Sequence, residues 1–135
     1  MALILDTGPI VAALDATDPD HARCADLLVH ATEPRLIPSV VLVEVEYLLR
    51  GWPDAFGQLI ADVARGAFDV QDLDRAAVIR AGDLVARYRD QRLGFVDAAV
   101  IALAEQLGEE RVATLDHRHF SVVRPAHVQA LTLLP

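Results

Sequence analysis

Ala2-Leu3-Ile4-Leu5-Asp6-Thr7-Gly8-Pro9 is the stretch whose reading decides the fold. Four apolar residues run straight into an aspartate, and the residues behind it break any regular pattern. A short continuous apolar run bounded by turn signals reads as a buried strand, the kind found in parallel sheets. Ligands of open α/β sheets gather at the carboxyl ends of the strands, where Asp6 stands. What matters downstream is whether other carboxylates reach the same edge.

Ile10 to Asp15 is expected to form a short helix closing the first turn. Asp18 is expected to cap the next one, with Pro19 at its first position and Ala22, Ala25, Leu28 and Val29 facing inward as far as His30. Leu36-Ile37-Pro38 reads as a second strand. Ser39 then caps a helix over Val40 to Arg50, ended by Gly51. Asp54 is expected to cap a helix from Ala55 to Arg65, and Ala67 to Val70 reads as a strand. Asp72 or Asp74 opens a long helix reaching Gln91. Leu93 to Val96 forms a break before a helix from Asp97 to Leu107, which Gly108 closes. Arg111 to Leu115 is the next strand, ending at Asp116, and Val128 to Leu134 is the last. Strands alternating with helices indicate βαβ units and a mainly parallel sheet covered on both faces. No repeat, low-complexity tract or linker interrupts the pattern, so the 135 residues are expected to form a single α/β domain.

The composition narrows the function classes. The formal charge is −8, and the basic complement is twelve arginines with no lysine. Such a balance argues against a general electrostatic nucleic-acid binder, which shows a basic face. It leaves room for an acidic centre offset by bound cations, which can be the largest local charges in a site. No apolar run approaches the ~18 residues of a membrane span. Met1 leads directly into the strand, and the single Cys24 has no disulfide partner within the chain, so a cytoplasmic protein is expected.

Most of the twenty acidic residues need no special role. Asp83 and Arg87, like Glu46 and Arg50, are spaced for exposed i,i+4 pairs worth a few tenths of a kcal/mol. Glu109 and Glu110 belong to a solvated loop. Glu44 differs, because its helical neighbours are Val40, Val41, Tyr47 and Leu48. A carboxylate on an apolar face is costly unless compensated, either by an arginine from elsewhere or by a cation. Asp97 opens an almost wholly apolar helix and is either a first-turn acid favoured by the dipole or a ligand. Asp116, at a strand end, is either an Asx-turn residue or a ligand. Two acids at strand ends and two near helices packed beside them suit Mg²⁺ or Mn²⁺, which take hard oxygen ligands.

Four stretches together resemble the PIN-domain ribonucleases, and more closely the VapC toxins of VapBC toxin–antitoxin modules. They are Leu5-Asp6-Thr7-Gly8-Pro9, Val43-Glu44-Val45-Glu46-Tyr47-Leu48-Leu49, Leu93-Gly94-Phe95-Val96-Asp97-Ala98-Ala99 and Thr114-Leu115-Asp116-His117-Arg118-His119-Phe120. The resemblance implies a three-layer α/β/α domain. It also implies a metal-dependent endoribonuclease acting as the toxin of a type II pair, with a VapB-type antitoxin and a homodimeric state. By that resemblance Asp6, Glu44 and Asp97 bind Mg²⁺ or Mn²⁺, Asp116 completes the pocket, and Thr7 and Thr114 support it. Many relatives carry threonine or arginine directly before the fourth acid, where this chain has Leu115; that leaves the part of Thr114 open. With no lysine present, Arg87, Arg89, Arg92 and Arg118 are candidates for RNA phosphate contacts, or else are solvated surface charges.

Other chemistries fit less well. A receiver-type phosphoacceptor needs a lysine, a haloacid-dehalogenase-like phosphatase needs an acid where Gly8 stands, and a P-loop needs Gly-Lys-Ser/Thr. His117 and His119 could suggest zinc but lack further ligands of that kind. The alternative from another class is a non-catalytic domain of the same fold that binds an antitoxin-like partner.

Overall fold

A computed structural model describes residues 1–135. Five strands form one sheet in the order β3-β2-β1-β4-β5, with every pairing parallel. They are β1 (Leu3–Leu5), β2 (Arg35–Pro38), β3 (Asp69–Gln71), β4 (Arg111–Ala113) and β5 (Thr132–Leu134). The helices are α1 (Thr7–Leu14), α2 (His21–His30), α3 (Ser39–Leu48), α4 (Pro53–Ala64), α5 (Arg75–Arg87), α6 (Phe95–Leu107) and α7 (His117–Val122). Together they make the expected α/β/α layers around a parallel sheet. Leu3, Ile4 and Leu5 are fully buried in the central strand, as an apolar run covered on both faces requires. On the helical side, Ala98 to Ala104 are all buried, filling the middle of α6.

The chain winds outward from β1 through β2 to β3, then returns to lay β4 on the other side of β1. The reversal opens a crevice at the carboxyl ends of β1 and β4, the topological switch point where such sheets bind ligands.

Several boundaries differ from expectation. Helix α1 starts at Thr7 rather than Ile10, with Asp6 as its N-cap residue, because Gly8 and Pro9 are both tolerated in a first turn. Asp18 does not cap α2. Its carboxylate accepts from the Asp20 amide in a local turn, and Asp20 takes the N-cap position. Ser39 and Asp54 lie inside their helices, which begin after Pro38 and Trp52. Cys24 and Leu28 form the buried face of α2, while Val29 is exposed. Asp74 does cap α5, accepting from the Ala77 amide at 2.7 Å. That helix stops at Arg87, followed by a short 3₁₀ turn over Arg89–Gln91 and a left-handed Arg92 at φ 55°. Strand β3 lies one or two residues later than expected, β4 stops at Ala113, and β5 is three residues long. Glu109 is no idle loop acid, since its carboxylate accepts from the Ala2 amide at 2.8 Å.

Candidate metal centre

Each of the four acids is delivered by a different element. Asp6 follows β1 and is held there by its amide, which donates to the Ala113 carbonyl of β4 at 2.9 Å. Glu44 lies in the second half of α3, the helix that follows β2, and is half-buried. Asp97 is the third residue of α6, behind the N-cap Gly94. Asp116 stands beyond β4 as the N-cap of α7, its carboxylate accepting from the His119 amide at 3.1 Å. The α1 and α6 termini next to Asp6 and Asp97 are positive dipole ends, which favour carboxylates.

The four acids line one cleft of about 510 Å³, together with Thr7, Gly8, Leu48 and Leu115. Asp97, Asp116 and His119 each bring a ligand atom within 4.8 Å of the others. Thr114 ties two of the acids together. Its buried hydroxyl donates to Asp6 Oδ2 at 2.8 Å and accepts from the Asp116 amide at 3.0 Å. Leu115 does not displace Thr114 from the cluster, for it lies over Gly8 instead.

Asp6 is only 5% exposed, and its Oδ1 is buried without a hydrogen-bond partner, as is Thr7 Oγ1. Buried polar atoms are nearly always paired, so two orphans on residues that line one cleft mark a place for a further ligand. The electrostatics agree. Burial pushes the Asp97 carboxyl up to about 7, with Asp6, Asp116 and Glu44 adding repulsion against His119's opposing pull. Burial also raises Asp6, and Glu44 and Asp116 push the same way, although the Thr114 hydrogen bond and the nearby Thr7 amide oppose them. Asp116 behaves differently. Burial alone would raise it, but the His119 hydrogen bonds and the Arg118 charge outweigh that and hold it below the ordinary value.

His119 is the residue the sequence reading undervalued. Its Nδ1 donates to Asp116 Oδ2 at 2.6 Å and its Nε2 donates to the Gln91 carbonyl at 2.7 Å. The hydrogen bond it gives to Asp116, followed by the one it gives to Gln91, raises its pKa above the usual histidine value. His117 faces elsewhere, its Nε2 donating to the Thr114 carbonyl at 3.0 Å. The two histidines therefore do not make a zinc pair. A signal was present: Asp116-x-x-His119 has the spacing of an N-cap and an N3 residue that reaches back to it.

Two other expectations need correction. Glu44 does not sit on a buried apolar face, because Tyr47 is 65% and Leu48 49% exposed. Its carboxylate faces the cleft from a helix whose apolar surface is partly open. The Glu46–Arg50 pair forms at 3.2 Å in the open, whereas Asp83 and Arg87 do not pair. Arg87 instead stacks 5.9 Å from the Tyr88 ring centroid. Arg87, Arg89, Arg92 and Arg118 are all exposed, and none lines the cleft itself.

Gly8 is a point of close approach. A Cβ there would stand 3.2 Å from Leu115 Cβ and 3.3 Å from its Cγ and Cδ1. Alanine would gain about 0.5–1 kcal/mol of helix preference, against about 1–3 kcal/mol for overpacking. Crowding wins, so Gly8→Ala is expected to lose about 1 kcal/mol in urea unfolding. In a Leu115→Ala background, which removes the Cγ and Cδ1 contacts and keeps only that of Cβ, the loss should shrink; an equal loss there would place its cause elsewhere.

The fold and the cleft define a PIN-type α/β/α domain with four carboxylates at its switch point. The chain belongs to the PIN domain family, which it matches over residues 3–124. Ribonuclease VapC26 of Mycobacterium tuberculosis (strain ATCC 25618 / H37Rv) is 33% identical over 135 residues, covering 98% of this chain and 100% of that protein. The crystal structure of Mycobacterium tuberculosis VapC20, described as a Sarcin-Ricin loop cleaving toxin, superposes with a TM-score of 0.82. It is 22% identical and covers 95% of this chain and 99% of its own. The structure of VapBC2 from Rickettsia felis bound to a promoter DNA fragment gives a TM-score of 0.69 at 18% identity, covering 100% of both chains.

Proposed function

We propose that this chain is a divalent-metal-dependent endoribonuclease and the toxin of a type II toxin–antitoxin pair. The observation that carries the reading is the meeting of Asp6, Glu44, Asp97 and Asp116 in one cleft, with Asp6 Oδ1 buried and unpaired. The relatives named ribonuclease and toxin support the same activity. In a domain that only bound a partner, four carboxylates around one cleft would be repulsion without return. The interaction-domain alternative is not favoured.

The donor set fits a hard cation, since all four acids offer carboxylate oxygen and none of the four is a thiolate or imidazole. Asp6, Glu44, Asp97 and Asp116 would hold Mg²⁺ or Mn²⁺, which when bound supplies Lewis-acid activation of water and charge neutralisation at a phosphodiester. The protein's own groups do the positioning. Thr114 fixes the Asp6 carboxylate, and the α7 N-terminus fixes Asp116. Leu48 and Leu115 give the cleft apolar walls. Arg87, Arg89, Arg92 and Arg118 are exposed outside the cleft lining and are the candidates for contacts to RNA phosphates. Exposed apolar residues such as Val43, at 73%, and Tyr47 suit a partner surface, in keeping with a homodimer and a VapB-type antitoxin. No helix is long and apolar enough to cross a membrane, and a cytoplasmic setting fits a toxin whose substrate is RNA.

The test is incubation of the purified chain with total cellular RNA in Mg²⁺, in Mn²⁺ and in excess chelator. Discrete cleavage with either metal and none with chelator is expected. Intact RNA in both metals, from a chain shown to be folded, would overturn the reading.

A further inference from the structure

His119 lies between two of the acids and the turn that carries two of the arginines, and both of its ring nitrogens are spent. One oxygen it faces is Asp116 Oδ2, at 2.6 Å, and the other is the Gln91 carbonyl, at 2.7 Å. A carbonyl and a carboxylate oxygen accept only, so each nitrogen donates and neither lone pair is free for a cation. Asp97, Asp116 and His119 have the spacing of a three-ligand metal site, yet the imidazole is already committed. Asp116 has freedom to lose, because it is the half-exposed N-cap of a six-residue helix. Its Oδ1 is fixed by the His119 amide and its Oδ2 by the His119 ring, so one residue sets both oxygens.

The far anchor is equally specific. Gln91 ends the 3₁₀ turn and precedes the left-handed Arg92, whose amide donates back to the Arg89 carbonyl at 2.9 Å. The Tyr88 hydroxyl, at the start of this turn, accepts from the Arg124 amide beyond α7 at 3.2 Å. The turn and α7 are thus joined at two points, one through His119. We propose that His119 is a positioning residue of the metal centre: it braces the Asp116 carboxylate against the Gln91 carbonyl and is not itself a ligand.

This rests on the metal-dependent nuclease reading, and the test separates the two. Mn²⁺ affinity is measured by titration calorimetry for wild type, His119→Gln, Asp116→Asn and the double variant. Groups that orient metal ligands typically affect affinity by about 10–100-fold, and His119→Gln is expected to weaken binding within that range. Because His119 acts through Asp116, the double variant should bind no more weakly than Asp116→Asn alone. His119→Gln binding as tightly as wild type would overturn the inference. So would a double variant weaker than Asp116→Asn by the full factor of His119→Gln, the pattern of an independent ligand. Wild type that binds no Mn²⁺ would overturn the metal reading and this inference with it. Should His119→Gln not fold, the ring ¹⁵N signals of unmodified His119 decide. Both nitrogens are expected to stay protonated when Mg²⁺ or Cd²⁺ is added, and transfer of either to the metal would overturn the assignment.

Discussion

Asp6→Asn is expected to lower RNA cleavage by well over a hundredfold while leaving the metal-free protein folded and at least as stable as wild type. Groups that only orient a metal ligand are worth about 10–100-fold, so loss of a direct ligand should exceed that range. Asp6 is the acid most deeply set in the cleft, and its Oδ1 has no other partner. The stability half of the prediction follows from the same burial. Without a cation the carboxylate is desolvated and repelled by Glu44 and Asp116. Asparagine removes that charge, and its amide oxygen can still accept from Thr114. Cleavage at saturating Mn²⁺ and circular-dichroism melting in chelator check the two halves. A wild-type rate would remove Asp6 from the site. A large fall in melting temperature would show that the carboxylate is structural.

That opposite pairing of effects, less activity with no loss of stability, is what separates a functional acid from the caps and surface pairs. Asp74 would behave the other way, since its carboxylate satisfies the Ala77 amide and loss of a cap costs about 1 kcal/mol. The sequence distinguishes the two kinds only where neighbours speak clearly. Leu3 to Leu5 before Asp6 could hardly be anything but a buried central strand, and the apolar run after Asp97 could hardly be other than a buried helix. These two elements fix where two of the acids stand. Glu44 does reach the cleft of the other acids, but its neighbours Tyr47 and Leu48 are exposed rather than covered, which no local pattern in the sequence reveals.

Elsewhere local signals competed. Asp18, Ser39 and Asp54 all have good capping chemistry, yet nearby prolines and a local Asx turn moved the helix starts away from them. Helix α7 is six residues long with three polar residues at its start, too short and too mixed for periodicity to register. Without it the contacts of His119 are hidden, since its two partners lie three and twenty-eight residues away. Only the folded chain brings Gln91 to that ring. Thr114 was likewise ambiguous as a residue type, and its bridging hydroxyl depends on β1 and β4 being neighbours across 108 residues of sequence.

The same electrostatics predict how acid, metal and stability trade against one another. Asp97 ionises near 3.8 when unfolded and at about 7 in the metal-free fold. Between those values the native state holds a proton that the unfolded state has released. Stability from this group is therefore fully present below about pH 4 and is lost as pH rises toward 7. The raised Asp6 acts in the same direction, and so does His119, whose contribution fades as pH climbs through its elevated value. Asp116 is opposite in sign, its stabilisation being lost as pH falls below the ordinary carboxylate range. From pH 5 to 8, the metal-free melting temperature should therefore fall. A divalent cation is expected to reverse the trend, because it would take the place of the proton among the carboxylates and bind better as they ionise. At a hundredfold excess over its Kd a native-state ligand contributes about 2.7 kcal/mol, on the order of 10 °C for a chain of this size. Thermal melts in chelator and in millimolar Mn²⁺ across that range should therefore diverge, closest at pH 5 and widest at pH 8. Parallel curves would mean that the ion does not meet these carboxylates, and a rise with pH in chelator would mean that the acids are not crowded in the free protein.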